Sequence, residues 1–348
     1  MNGTYSTYVQ YAKIVADIGF LSATICCSIL IYLTIFKVKR NFGSYTYLLV
    51  LFPALGIFFA TLEIVLYPNV FHHDASYVFY STSRPFGLGK DAVTIALGFY
   101  GVVYAFTVSM LSVQFLYRYW AIFRETKLLY FKGWRFFIWI LYSSFFGFLW
   151  GYGLILFNEI DEYSRSYINE SMREKFGIDV SELSGTILVA YNPDNSIRWW
   201  NVSATLNMSF VASVQYTLII YCAVRMYLGM EAKIQMLSVS LRTLHRQFFK
   251  TLVLQMVSPT ITLFAPAMLI IYLPLFNLKI NLPTGIFLCA FTLYPAMDSM
   301  IVVYVVKDYK KAVRSTLKDC ITPIYSWLSS GEKNQTVQGT RSNNIPLS

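Results

Sequence analysis

Seven apolar runs, each about 20 residues or longer, set what this chain can fold into. They lie at 14–36, 45–66, 92–117, 136–157, 204–228, 248–275 and 284–306. A helix of about 20 apolar residues crosses the hydrocarbon core of a bilayer, where backbone groups find only one another to bond. The sequence therefore predicts an all-α membrane protein, a seven-transmembrane helix bundle with no room for a separate soluble domain. The composition agrees, at 56% hydrophobic, 13% charged and mean hydropathy +0.50. No internal repeat is evident, and an odd number of spans does not fit a two-fold inverted-repeat transporter.

The formal charge of +10 is unevenly placed. Segments 37–44, 118–135, 225–250 and 307–348 together carry fifteen net positive charges, while the alternate set carries −2. Such a bias orients a membrane protein with its basic loops inside. The sequence thus predicts an extracellular N-tail (1–13), a seven-span domain (14–313) and a cytoplasmic tail (314–348). The tail reads as a short membrane-surface helix and then, from Ser329, as a polar disordered stretch. Charge placed this way belongs to membrane lipids and not to nucleic acid. The first run is too long for a cleaved signal and reads as a signal anchor.

Sequons at Asn2 and Asn169 fall in the expected outer compartment and are candidate glycosylation sites, whereas the one at Asn334 falls inside. Those at Asn201 and Asn207 lie close to or within the fifth run, where access is poor. None of the five cysteines lies in an expected outer loop, so no extracellular disulfide is expected. Cys320, just beyond the last span, is a candidate for lipidation. His72, His73 and Asp74 have the residue types of a metal site, but adjacent side chains diverge and the third histidine, His245, is on the other face. No metal or other cofactor is expected.

Residues 291–313 carry the densest signals. Pro295 interrupts an apolar helix and frees a carbonyl, Asp298 lies at membrane depth, and Lys307, Lys310, Lys311 and Arg314 crowd the exit. Pro259, Pro266 and Pro274 predict a strongly bent sixth helix. On the third helix Tyr100, Tyr104 and Thr107 share one face of the outer half, and Arg118 ends the helix inside. The tyrosine face can pack or offer hydroxyls to a ligand; Arg118 can anchor the helix or bind a partner. Glu63 and Tyr272 are further candidates for a cavity wall.

Three segments resemble the nematode serpentine chemoreceptors of the Str type, odorant-receptor-like G-protein-coupled receptors. The first runs from Phe42-Gly-Ser-Tyr-Thr-Tyr to Glu63-Ile-Val-Leu-Tyr-Pro-Asn-Val-Phe-His72. The second is Gln114 to Trp120, with its Tyr117-Arg118-Tyr119 end, and the third is Tyr294-Pro-Ala-Met-Asp298 followed by Lys307-Asp-Tyr-Lys310. The resemblance covers nearly the whole chain. It departs in Ser299, where the family often has proline, and in lacking the acid before Arg118 and the paired outer cysteines of rhodopsin-like receptors.

The resemblance implies a chemosensory receptor that takes a small, volatile odorant in the outer half of the bundle and signals to a heterotrimeric G protein inside. It also implies residence in the plasma membrane of a sensory cilium. On this expectation Glu63, Tyr100, Tyr104 and Tyr272 line the ligand site. Arg118, Tyr119, Pro259, Pro266, Pro295 and Asp298 form the coupling and switch elements. A peptide receptor would show a richer, disulfide-pinned outer surface. A transporter or channel would show charges facing one another mid-span, and an enzyme would show a His/Asp/Ser constellation at one depth.

Overall fold

The computed structural model describes residues 2–38, 43–234, 253–278, 281–316 and 318, without the side chains of 2–6, 230–234 and 290. The candidate site Cys320, the inner sequon at Asn334 and the side chain of Asn2 lie outside the described residues, as does the amphipathic stretch 241–247. Among the described residues seven helices are long and apolar enough to cross a membrane. They are Thr7–Lys37, Tyr45–Leu66, Lys90–Phe123, Gly133–Phe157, Trp199–Gly229, Val253–Phe276 and Gly285–Val305, here the first to seventh spans. The helix of the first span begins already at Asn2, so residues expected as a tail are helical and continuous with it.

The third span is the axis of the bundle and the most deeply buried of the seven. Small residues let the fourth span lie directly against it. A Cβ on Gly147 would come within 2.9 Å of the Val102 carbonyl, and one on Gly151 within 2.7 Å of the Gly98 carbonyl. Without a hydrophobic force between helices in lipid, such close backbone approach is what holds spans together. Gly56 plays the same part between the second and seventh spans, where its missing side chain makes room for the Pro295 ring.

The sixth and seventh spans depart from α-geometry close to their prolines. Pro259 precedes a π-helical turn, Thr260–Phe264, and α-helix resumes at Ala265 with Pro266 in its first turn. Two missing donors seven residues apart cannot be absorbed by a regular i→i−4 ladder, and the wider turn accommodates them. The seventh span tightens to 3₁₀ over Ala290–Thr292, just before the turn carrying Pro295. It ends at Val305; Val306 is extended, and a separate helix covers 307–316. Tyr309 of that helix is tied back to Thr34 of the first span by a 2.8 Å hydrogen bond.

The connections at the N-terminal end of the bundle build a cap. Strands β1 (Asn69–His73), β2 (Ser76–Ser81), β3 (Ser184–Val189) and β4 (Asn281–Pro283) form one antiparallel sheet in the order β3-β2-β1-β4. Asp74, in the left-handed region at φ 47°, turns β1 into β2. One face of the sheet sends Val70, Tyr77 and Phe79 into the bundle core. The other sends Phe71, Val78, Tyr80 and Ile187 against Ile168 and Met172 of a helix, Glu162–Phe176. That helix starts at a capping box made by Asp161 and Ser164, and Arg198 pairs with Asp161. Burial disfavours the Asp161 carboxylate, but the Ser164 bonds and the Arg198 charge outweigh it and hold its pKa below the usual range.

This second apolar core stabilises the cap without a disulfide; Cys26, Cys27, Cys222 and Cys289 are all free thiols. The candidate Asn169 sits mid-helix in this cap, where its Oδ1 accepts the Val180 amide at 3.1 Å. The amide nitrogens of Asn201 and Asn207 point inward instead, to the Phe157 and Leu149 carbonyls.

Candidate functional site: a capped cavity and an arginine relay

Beneath the cap lies a cavity of about 60 Å³. The sheet roofs it with Val70, Tyr77 and Phe79, and Leu154, Met208, Ile270 and Leu288 supply aliphatic wall from four spans. Its aromatic side is built around the third span. Tyr104 stacks on Phe291 at 5.0 Å and meets Trp150 at 5.2 Å, while Tyr100 stacks on Phe59 at 5.0 Å. Rings offset in this way fill space and present π-faces at little entropic cost.

Of the four residues expected in a ligand wall, Tyr100 and Tyr104 line this cavity. Glu63 stands one side chain back, fully buried beside the Tyr100 hydroxyl and the Cys289 thiol. It nevertheless makes no hydrogen bond of acceptable geometry, and neither does Tyr100 Oη. Tyr272 is not in the wall; it is 37% exposed on the outside of the sixth span. The helical face that carries Ile270 and Ile271 inward turns Tyr272 away. A second cavity, of about 270 Å³, lies between the first span and the cap and includes Lys13, Asn69 and Cys289 in its wall.

The roof is latched. His72 is buried on β1, with Nε2 at 2.8 Å from the Ile270 carbonyl and Nδ1 at 2.8 Å from Thr284 Oγ1. A carbonyl only accepts, so Nε2–H donates to Ile270 and Thr284 donates to Nδ1. Burial lowers the His72 pKa to about 4, although the bond to Ile270 pulls the other way. His73, the next residue, points to Asn281 at 2.5 Å. The two rings thus serve different partners, as alternation along a strand requires.

Tyr104 connects the cavity to the sixth span. Its hydroxyl donates to the Leu263 carbonyl at 3.1 Å, inside the π-helical turn between Pro259 and Pro266. Two turns further along that span, Gln255 enters a polar relay at the opposite end of the bundle. Arg118 Nη1 donates to Gln255 Oε1 at 2.5 Å, and Gln255 Nε2 donates to Asp298 Oδ1 at 3.0 Å. The other edge of the guanidinium holds Tyr45 Oη at 2.7 and 2.9 Å.

The relay therefore joins the second, third, sixth and seventh spans through one arginine. Arg118 and Asp298, both expected to matter, are brought together, though through Gln255. Tyr119 faces the fifth span, with its ring 5.9 Å from Tyr221. Pro295 is packed on Gly56, and Cys27 reaches its carbonyl at 3.6 Å. Gln255 and Tyr45 escaped the sequence reading. The signal for Gln255 was a lone amide inside the apolar run 248–275; the signal for Tyr45 was a hydroxyl two residues after Gly43 at a span's start.

Residues 12–314 match the family described as serpentine type 7TM GPCR chemoreceptor Str. The chain is 33% identical over 308 residues to G-protein coupled receptor str-33 of Caenorhabditis elegans, covering 87% of this chain and 89% of that one. It is 27% identical over 304 residues to Serpentine receptor class r-10 of Caenorhabditis elegans, covering 86% and 88%. Its fold is similar to that of squid rhodopsin, with a TM-score of 0.53 at 14% identity over 99% of this chain and 94% of that one.

Proposed function

Because the chain belongs to the Str-type serpentine chemoreceptors, a family of G-protein-coupled receptors, we propose how its own residues receive a ligand and pass the signal on. The ligand is a small volatile molecule that occupies the cavity under the sheet and is held against Tyr100 and Tyr104, with Glu63 behind them. The cap faces the outside, the basic loops and tail face the cytoplasm, and a heterotrimeric G protein binds there. The protein resides in the plasma membrane of a sensory cilium and carries glycans at Asn2 and Asn169.

The observation that carries this reading is the pair of bonds on the sixth span. Tyr104 holds the span at Leu263, and Gln255 holds it at Arg118 and Asp298. Eight residues of helix, about 12 Å, separate the two anchor points. A ligand that repositions Tyr104 removes a bond to the π-helical turn, where the ladder is already irregular. The span then pivots between Pro259 and Pro266, and Gln255 leaves the relay. Pro295 allows the seventh span to follow, and the freed Arg118, with Tyr119 beside it, meets the G protein.

A ligand moves such an equilibrium only by the difference in its affinity for the two states. The energies involved are suitable: each buried hydrogen bond contributes about 1 kcal/mol, and those to a charged group about 1.5–3 kcal/mol. The test is a ligand-response assay in cells supplied with a G protein, using a panel of small volatiles. The reading requires a response in the intact receptor that Arg118→Ala abolishes at equal surface level. A variant that signals fully at equal surface level would overturn the coupling role.

A further inference from the structure

The cavity is walled by aromatic faces and has one uncompensated acid behind it. Both carboxyl oxygens of Glu63 are buried, as is Tyr100 Oη next to them, and none of the three makes a hydrogen bond of acceptable geometry. The groups that bear on Glu63 are the Tyr100 hydroxyl and the Cys289 thiol; among the described residues no lysine, arginine or histidine offsets it. Buried polar groups are otherwise nearly always paired, and an acid at membrane depth usually marks a place where something else completes the site. A cation placed beside a buried acid is what favours its ionised form. The rings of Tyr100, Tyr104, Trp150 and Phe291 line the cavity, with Tyr100 also beside the acid, and ring faces attract cations most strongly where water is excluded.

We infer that this cavity receives a small protonated amine. The ammonium donates to Tyr100 Oη, and Tyr100 donates in turn to Glu63, so that Tyr100 couples the ligand's charge to the acid behind it. Its charge offsets the carboxylate and its remaining surface lies on the rings. An alcohol can bond to Tyr100 but brings no charge; a ketone or ether brings neither charge nor donor. The volume of about 60 Å³ limits the amine to a compact one, since a cavity that holds benzene measures about 150 Å³. The inference rests on the reading of this cavity as the ligand site.

The experiment uses the purified full-length receptor and pairs of probes matched in shape. Methylamine is set against methanol, ethylamine against ethanol, and dimethylamine against dimethyl ether. Binding is read as the concentration that half-saturates the rise in melting temperature, and signalling is read separately in cells. The proposal requires at least one amine to act at a concentration tenfold or more below its neutral match. Glu63→Gln should erase that preference, Glu63→Asp should keep part of it, and Tyr100→Phe should weaken the amine by tenfold or more. It is overturned if every amine is equalled by its neutral match, if no amine binds, or if Glu63→Gln retains the preference in a monodisperse protein. Amine binding without any signalling would leave this inference standing and overturn the receptor reading of the cavity; signalling by neutral probes alone would do the reverse.

Discussion

Tyr104 Oη donates to the Leu263 carbonyl across 3.1 Å, so a residue of the cavity wall is bonded to the π-helical turn of the sixth span. Tyr104→Phe keeps the ring against Phe291 and Trp150 and removes only this donor. The expected cost is about 1 kcal/mol, with the Leu263 carbonyl left unanswered. On the proposed mechanism, basal signalling at matched surface level should rise. A basal level equal to that of the unmodified receptor would show that this contact does not restrain the span.

Gln255 is the only side chain that links Arg118 to Asp298 among the described residues. Gln255→Leu has similar volume and ends both bonds, leaving a guanidinium and a carboxyl short of a partner. The melting temperature should fall, by the equivalent of about 2 kcal/mol, and basal G-protein turnover should rise. Asp298→Asn, which retains an acceptor for Gln255, should change stability less than Gln255→Leu does. Equal losses in the two variants would mean that the charge of Asp298, and not the amide bridge, holds the relay.

The His72 latch makes the cap sensitive to acid. The ordinary histidine value is 6.5, and in the closed cap it is about 4. Above pH 6.5 neither the closed nor the opened form is protonated and the latch is fully stable. As pH falls toward 4 the opened form takes up a proton that the closed form refuses, so the cap loses up to about 3 kcal/mol. Hydrogen exchange in β1 and β2, corrected for intrinsic rate, should reveal more frequent opening at pH 5 than at pH 7.5. His72→Gln should flatten that difference; an unchanged difference in the variant would assign it to other groups.

Gly147 and Gly151 set the distance between the third and fourth spans. A Cβ on Gly151 alone would sit 2.4 Å from Val102 Cγ2 and 2.7 Å from the Gly98 carbonyl, and backbone cannot step aside as a flexible side chain can. Gly151→Val should remove most receptor from the cell surface, whereas Gly177→Ala, in a cap turn with nothing within 4 Å, should lose far less despite its φ of 68°. Surface biotinylation of the two variants measures this. Comparable surface levels would remove the close-packing account of these glycines.

The sequence made some of this legible and concealed the rest for physical reasons. Each apolar run became a span, because in lipid hydrophobicity and length decide. Pro259 and Pro266 marked the irregular turn because a missing donor leaves few alternatives. Arg118 and Asp298 stood out because charge at that depth requires a partner, but the partner, Gln255, is a neutral amide with no periodic signal. The cap was hidden because its strands are buried on both faces. Tyr77-Val-Phe-Tyr80 therefore reads as a continuous apolar run and loses the alternation that identifies a half-exposed strand. Tyr272 was misplaced because helix phase cannot be carried across Pro266 and a π-helical turn, and each shifts the face that follows. Gly147-Phe-Leu-Trp-Gly151 was a readable small-residue pair that was passed over for the aromatic residues around it.

The central claim is that the sixth span carries the signal from Tyr104 to the relay at Arg118. It is tested most directly by the distance between the ends of the third and sixth spans, with spin labels at Phe123 and Val253, measured by pulsed electron spin resonance with and without an activating ligand. The account predicts a longer distance with ligand, and a partial lengthening without it in Gln255→Leu. Ligand-driven G-protein turnover with the distance unchanged would contradict it.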